Sequence, residues 1–254
     1  MAMTHSSPPV LPVGINPDLS SIARALLIVA HPDDIDYGSA GTVASLTTQG
    51  IEVAYCLVTS GDAGGDNDGL TRDERISMRE SEQSAAAHVV GVNRVHYLRQ
   101  PDGRIEANLD LREKLTRVIR TEKPDLIITQ SPQRRYDRIF ASHPDHLAVG
   151  EATLSAVYPD SQNPHAFPHL LDEGHAAHNV KAVWIAADQT PDTFMDITDV
   201  MEKKFDALFQ HISQIENQEN TKVMVNEWCA AMAQIAGMPE GRYAEAYRFV
   251  QIAY

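Results

Sequence analysis

Residues 25–34 read Ala25-Leu26-Leu27-Ile28-Val29-Ala30-His31-Pro32-Asp33-Asp34. Six apolar residues in a row, ended by a polar tetrapeptide, suit a strand buried on both faces rather than one with a wet face. Outward from it, the chain reads as a helix over 39–49 closed by Gly50 and a second strand over 53–58. A helix over 72–90 ends at Gly91, a third strand covers 95–98, a helix over 109–123 stops at Pro124, and a fourth strand covers 126–129. Strands alternating with helices across short loops imply parallel βαβ units. The expected class is therefore α/β, a Rossmann-like three-layer fold with a mainly parallel sheet, whose ligand site lies at the C-terminal ends of the strands.

A near-copy of the polar tetrapeptide follows the fourth strand: His143-Pro144-Asp145-His146. Each copy sets two candidate metal ligands three residues apart, on one face wherever the segment opens a helix. His31, Asp34 and His146 form the expected ligand set, two imidazoles and a carboxylate, which leaves a coordination position for water. Zn²⁺ suits these donors, and Fe²⁺ competes because two His and one carboxylate also describe non-haem iron sites. Asp33, beside a ligand, is the expected general base, against the plainer reading of a carboxylate favoured by a helix N-terminus. His143 is expected to stand over a developing oxyanion, with a third imidazole ligand as the alternative, and Asp145 to orient it and raise its pKa.

The remaining chain reads as a helix over 146–158, a long surface loop over 158–180, a strand over 181–187, helices over 200–215 and 221–237, and a terminal strand over 247–253. Residues 1–24 form an expected N-terminal arm without the apolar core of a signal peptide, and 25–254 a single domain. The 254 residues carry 21 Lys+Arg against 35 Asp+Glu, a formal charge of −14. That balance argues against a nucleic-acid groove and against an anionic membrane surface. No stretch approaches the ~20 apolar residues of a membrane span. The two cysteines, Cys56 and Cys229, form no CxxC, and Cys56 lies in an apolar run, so core thiols in a cytoplasmic protein are expected. The apolar C-terminal helices could supply an interface between copies of the chain.

Further segments carry a resemblance. Thr59-Ser60-Gly61-Asp62-Ala63-Gly64, then Arg79 with Glu82, Ala85, Ala86 and Val90-Gly91, then Leu98 to Asp102-Gly103 match, in order, a T-x-G-[ED]-x-G loop, an R-x-x-E…A-x-x-x-L-G helix and an L-x-x-x-D-G turn. Lys204 to Gln214 fits K-x-x-A-L-x-x-H-x-S-Q, and Ala244-Glu245-Ala246-Tyr247-Arg248 fits A-E-x-[FY]-R. With the two tetrapeptides, these resemble the PIG-L/LmbE-like zinc N-deacetylases from about residue 25 to the end. The resemblance implies zinc on His31, Asp34 and His146, Asp33 as base, His143 at the oxyanion, and Arg79 and Asp102 against the hydroxyls of an amino sugar. Its implied reaction is hydrolysis of an N-acetyl group from a small GlcNAc-type substrate. An amidase acting on another N-acyl or thiol-conjugate substrate, or an inactive metal-binding sensor, are the alternatives. Some members place a Tyr just before the second tetrapeptide, where Ala141 and Ser142 stand here.

Three features are discounted. The loop 62–69 lacks the EF-hand ligand pattern. His165, His169, His175 and His178 are irregularly spaced for a second metal site, and His211 is weighed toward a structural hydrogen bond.

Overall fold

The protein is described here by a computed structural model covering residues 14–65, 69–139 and 142–252. Residues 1–13 of the expected arm, the centre of the Gly/Asp-rich loop, residues 140 and 141, and the last two residues lie outside it.

The chain runs β1 (Gly14–Ile15), β2 (Arg24–Val29), α1 (Asp34–Gly38), α2 (Ala40–Thr48), β3 (Glu52–Thr59), α3 (Arg72–Val89), β4 (Arg94–Gln100), α4 (Leu109–Glu122) and β5 (Leu126–Gln130). It continues with α5 (Pro144–Ser155), α6 (His169–Asp172), β6 (Ala182–Ala186), β7 (Thr193–Asp196), α7 (Met201–Leu208), α8 (Gln218–Ile235) and β8 (Ala244–Gln251). These strands make one eight-stranded sheet in the order β1-β7-β8-β6-β5-β2-β3-β4. Only β8 runs antiparallel to its neighbours, β6 and β7.

The apolar run of β2 is explained by its two faces. Leu27 and Val29 enter one core with residues of α2, α3, α7 and α8, while Leu26 and Ile28 enter the other with residues of α4 and α5. Successive side chains alternate across the pleat, so a strand between two helical layers needs apolar residues at every position. Each such Leu, Ile or Val contributes roughly 1.5–3 kcal/mol through burial.

The order of strands places the site. β2 pairs with β3 on one side and with β5 on the other, so the chain reverses its direction of winding between β2 and β5. A crevice opens at the carboxyl end of such a switch point. The two tetrapeptides follow β2 and β5, and this adjacency joins segments more than 100 residues apart. The ends are fastened: Ala30 donates its N–H to Gln130 Oε1 at 3.0 Å. Gly150 lets α5 close on β5, for a Cβ there would stand 2.3 Å from the carbonyl oxygen of Gln130.

Several boundaries differ from the sequence reading. Within the expected arm, Gly14–Ile15 pairs with β7, and Leu19 and Ile22 are buried. β7 itself was not foreseen. The helix expected over 200–215 ends at Leu208, because His211 N–H bonds to Leu208 O and the chain turns inward. The 158–180 segment contains α6 and is pinned to α4: buried Arg120 donates to the carbonyls of Asp160, Ser161, Asn163 and Ala166. Three of its four histidines bind protein groups through their rings, His169 to Glu113, His175 to Thr121 and His178 to Pro124 O. Both cysteines are free and buried, and burial pushes the Cys56 thiol up to about 12. Among the described residues no helix is long and apolar enough to cross a membrane.

Candidate metal centre and active site

His31 and Asp34 flank the turn between β2 and α1, and His143 and His146 begin α5, with His143 as its N-cap. His31 Nδ1 lies 3.2 Å from His146 Nε2, His146 Nε2 lies 3.1 Å from Asp34 Oδ1, and Asp34 Oδ2 lies 3.5 Å from His31 Nδ1. Ligand atoms about 2.1 Å from a tetrahedral ion stand about 3.4 Å apart. These spacings resemble those of ligands around one ion, with the two Asp34 oxygens sharing the carboxylate corner. Asp34 is held in it by its own turn, accepting the His31 N–H at 2.7 Å.

The other imidazole nitrogen supports the same reading. His31 Nε2 faces Asp102 Oδ1 at 3.1 Å and Asp145 Oδ2 at 3.2 Å. Metal-binding histidines characteristically give their second N–H to a carboxylate, which fixes the tautomer and raises ligand basicity. Burial opposes a charge on His31, but the carboxylates of Asp102, Asp145 and Asp34 outweigh it and push its pKa up to about 12. The three carboxylates around His31 favour positive charge there, which a bound cation would also supply. Among the described residues, His31, His143 and His146, and likewise His31, Asp102 and Asp145, also cluster closely enough to share an ion, the first set matching the alternative of His143 as a third imidazole ligand. Asp102 and Asp145, however, already accept N–H bonds from Ala63, Gly103 and Ile105, so they serve as the outer support of His31.

Here the structure corrects the expectation for Asp145. Its carboxylate turns to His31 and the 103–105 turn rather than to His143. His143 Nδ1 instead accepts the backbone N–H of Asp145 at 3.2 Å. An accepting Nδ1 makes His143 the neutral Nε2–H tautomer. The shift runs the same way: burial, then the charges of His31 and His146, lower its pKa despite Asp145. The pKa-raising role expected of Asp145 is outweighed, and His143 offers a neutral N–H rather than an imidazolium.

Asp33 caps α1 in the left-handed region, at φ 84°, with no side-chain capping bond. Its carboxylate meets Arg79 instead, Oδ2 to Nη2 at 2.9 Å. Arg79, 3% exposed, also donates to Pro32 O and Gly61 O. Gly61 makes room for it, since a Cβ there would stand 2.4 Å from Nη1. That close approach explains the glycine of the 59–64 loop. Burial raises the Asp33 pKa to about 6, with Arg79 working against it and Asp34 adding to it. Asp34, by contrast, is held well below the usual range because His146 and His31 outweigh its burial.

Arg79 and Asp102, expected against a sugar, are thus engaged with Asp33 and His31. Sequence reasoning missed a second layer: the Asp33 N–H donates to Gln83 Oε1 at 2.9 Å, and Gln83 leads on to Asp36 and His211. The spacing of Arg79 and Gln83, one helical turn apart, was the available signal.

Comparison with known proteins gives the family. The family model described as PIG-L, GlcNAc-PI de-N-acetylase, matches residues 26–157. This chain belongs to the PIG-L family. Among its PIG-L relatives, the diacetylchitobiose deacetylase of Thermococcus kodakarensis is 32% identical over 93% of this chain and 86% of its own length. A probable N-acetyl-alpha-D-glucosaminyl L-malate deacetylase 2 of Bacillus cereus is 31% identical over 76% of this chain and 84% of its own. The N,N'-diacetylchitobiose deacetylase of Pyrococcus horikoshii, solved with an inhibitor, superposes at a TM-score of 0.84 with 28% identity, covering 92% of this chain and 85% of that one. The PIG-L segment spans both tetrapeptides and the three motifs between them.

Proposed function

We propose that the protein is a metal-dependent N-deacetylase that hydrolyses the acetamide of a GlcNAc-type amino sugar, in a mono- or disaccharide or a small conjugate. One observation carries this reading: two adjacent carboxylates whose pKa values are driven apart. Asp34 stays ionised among imidazoles, while Asp33 sits near 6, ionised at neutral pH yet able to take a proton. Such divergence is how an active site separates a ligand from an acid–base group. A site that only bound a metal would have no use for Asp33 in a left-handed turn beside an arginine.

His31, Asp34 and His146 would hold Zn²⁺, with Fe²⁺ as the competitor that the same donors accept. When bound, the cation would supply Lewis acidity toward the acyl oxygen and would lower the pKa of a water toward ~7. Asp33 removes a proton from the attacking water as the C–O bond forms. The same carboxyl then delivers that proton to the amide nitrogen as the C–N bond breaks, and the acid's remaining proton passes to the amine, giving acetate and the ammonium product. His143 donates its Nε2–H to the oxygen that gains charge, a neutral donor set in place beforehand. Asp145 and Asp102 orient His31. The relatives named as diacetylchitobiose and glucosaminyl deacetylases support the substrate class.

The test is acetate release from GlcNAc, N,N'-diacetylchitobiose and GlcNAc conjugates. Metal-stripped protein is compared with protein reloaded with Zn²⁺ or Fe²⁺, and with Asp33→Asn. Turnover that needs metal and disappears in Asp33→Asn supports the reading. Tight metal binding without turnover on any acetamide would sink it.

A further inference from the structure

The segment Lys204 to Gln214 and the Ala244-Glu245 pair match family motifs, yet none of their residues lies in the donor triangle. Their polar groups converge on α1, α2 and α3 instead, with the Glu245 carboxylate accepting from Gly41 and Thr42 of α2. Lys204 Nζ donates to the carbonyls of Asp36 and Tyr37 and to Glu245 Oε1, and Ser213 donates to Glu82. His211, fully buried, places Nε2 2.8 Å from Asp36 Oδ2, and Gln83 Nε2 donates to that same oxygen at 2.9 Å. Gln83 Oε1 then accepts the N–H of Asp33. His211, Asp36 and Gln83 are each 0% exposed, so bulk solvent does not compete for these bonds.

We propose that Gln83, Asp36 and His211 are positioning residues that hold the peptide of Asp33 in its left-handed conformation and so aim the carboxylate at the attacking water. This rests on the reading of Asp33 as the general base. The direction of the chain is fixed by donor and acceptor capacity. Gln83 donates its Nε2–H to Asp36 Oδ2, and His211 Nε2 meets the same oxygen. The Gln83 amide must then turn its oxygen toward Asp33. A glutamine free to flip would present NH₂ to the Asp33 N–H, donor against donor. His211 supplies the partner without which the Asp36 carboxylate would be poorly compensated in the core.

A device of this kind is needed because the conformation is disfavoured. A non-glycine residue at φ 84° persists only where its surroundings over-determine it. Asp33 is held from two sides by one face of α3: Arg79 grips the carboxylate, and Gln83, four residues on, grips the backbone. The turn that carries His211 inward at the end of α7 completes the chain.

The test uses the full-length, metal-loaded enzyme. Gln83→Met keeps the length of the side chain and loses both hydrogen bonds. His211→Leu removes the donor to Asp36, whereas His211→Gln restores one in nearly the same place. Gln83→Met and His211→Leu should lower kcat by about 10- to 100-fold, the scale of a small misplacement of a reacting group. KM and metal stoichiometry should stay near wild type, because no ligand or substrate contact is removed. His211→Gln should recover most of the loss. A crystal structure of Gln83→Met should show Asp33 leaving the left-handed region, a readout that needs no substrate. A folded Gln83→Met enzyme with wild-type kcat and Asp33 still at positive φ would overturn the proposal. So would a loss shared equally by kcat and metal content. If Gln83→Met does not fold, equal activity of His211→Leu and His211→Gln does the same. Failure of the underlying reading looks different: an Asp33→Asn enzyme that still turns over.

Discussion

Replacing Arg79 with Gln separates two accounts of that side chain. As folded, its guanidinium stands 2.9 Å from Asp33 Oδ2, and both side chains are largely withdrawn from water, at 4% and 19% exposure. Charge centres about 4 Å apart attract by about 4 kcal/mol at an effective dielectric constant near 20. At ~1.4 kcal/mol per pKa unit that is an upper bound of about 3 units. Removing the cation should therefore raise the Asp33 pKa by about 1–3 units. The sign is fixed: without the positive neighbour the carboxylate is harder to ionise.

The Asp33 value of about 6 in the protein then moves to roughly 7–9 in the variant. A base with a pKa near 8 is only about one-tenth ionised at pH 7, so activity there should fall about tenfold and return above pH ~9. A bound cation lowers both acid limbs together, which leaves the difference as the quantity to read. The assay is kcat/KM for acetate release from pH 5 to 10 in wild type and Arg79→Gln. An unmoved acid limb, with a pH-independent rise in KM, would refute this account and assign Arg79 to the sugar.

Other expected outcomes follow from the outer support of the site. Asp145→Asn should weaken metal affinity by about 10- to 100-fold through His31; a loss confined to kcat at full metal occupancy would instead return Asp145 to His143. Metal binding to stripped protein should release a proton at pH 7, because the proton held by His31 at a pKa near 12 must leave. Calorimetry in buffers of different ionisation enthalpy measures that release, and buffer-independent heats would contradict it. Gly150→Ala should cost about 1–3 kcal/mol of stability in urea unfolding, since the new methyl meets Gln130 O at 2.3 Å. A neutral substitution would show that α5 can slide without loss.

The parts of this fold that the sequence made legible are those whose cause is local or periodic. The run 25–30 had to be apolar throughout because β2 feeds two cores, and Gly50, Gly91 and Pro124 marked helix ends through their own backbone chemistry. The edge strand β1 and its neighbour β7 were invisible because two and four residues give no period to count. The tetrapeptides announced their donors, since each residue type and spacing is itself the chemistry of a metal site. Asp145 was misread because adjacency to His143 in sequence suggested a partner. Its carboxylate is decided instead by N–H groups about 40 residues away, at Gly103 and Ile105. His211 shows the same limit. Helical periodicity carried the helix past it, but a buried imidazole must find a partner, and Asp36 draws the chain inward.

Asp33 and Asp34 sum up the physics of the site because one backbone angle divides them. In a continuous helix, neighbouring carboxylates would share solvent and titrate alike. The left-handed turn at Asp33 gives the two side chains different partners: imidazoles for Asp34, the core and Arg79 for Asp33. The consequence for stability has a definite sign. In the metal-free protein the Asp33 pKa is raised from 3.8 to about 6, so the folded state binds more protons than the unfolded chain between those values. Its contribution to stability is then fully present below pH 3.8 and is lost as pH rises to about 6. At the neutral pH where Asp33 must be ionised to accept a proton, that ionisation works against the fold. The bonds that hold it there, from Arg79 to its carboxylate and from its own N–H to Gln83, offset a cost that catalysis itself imposes.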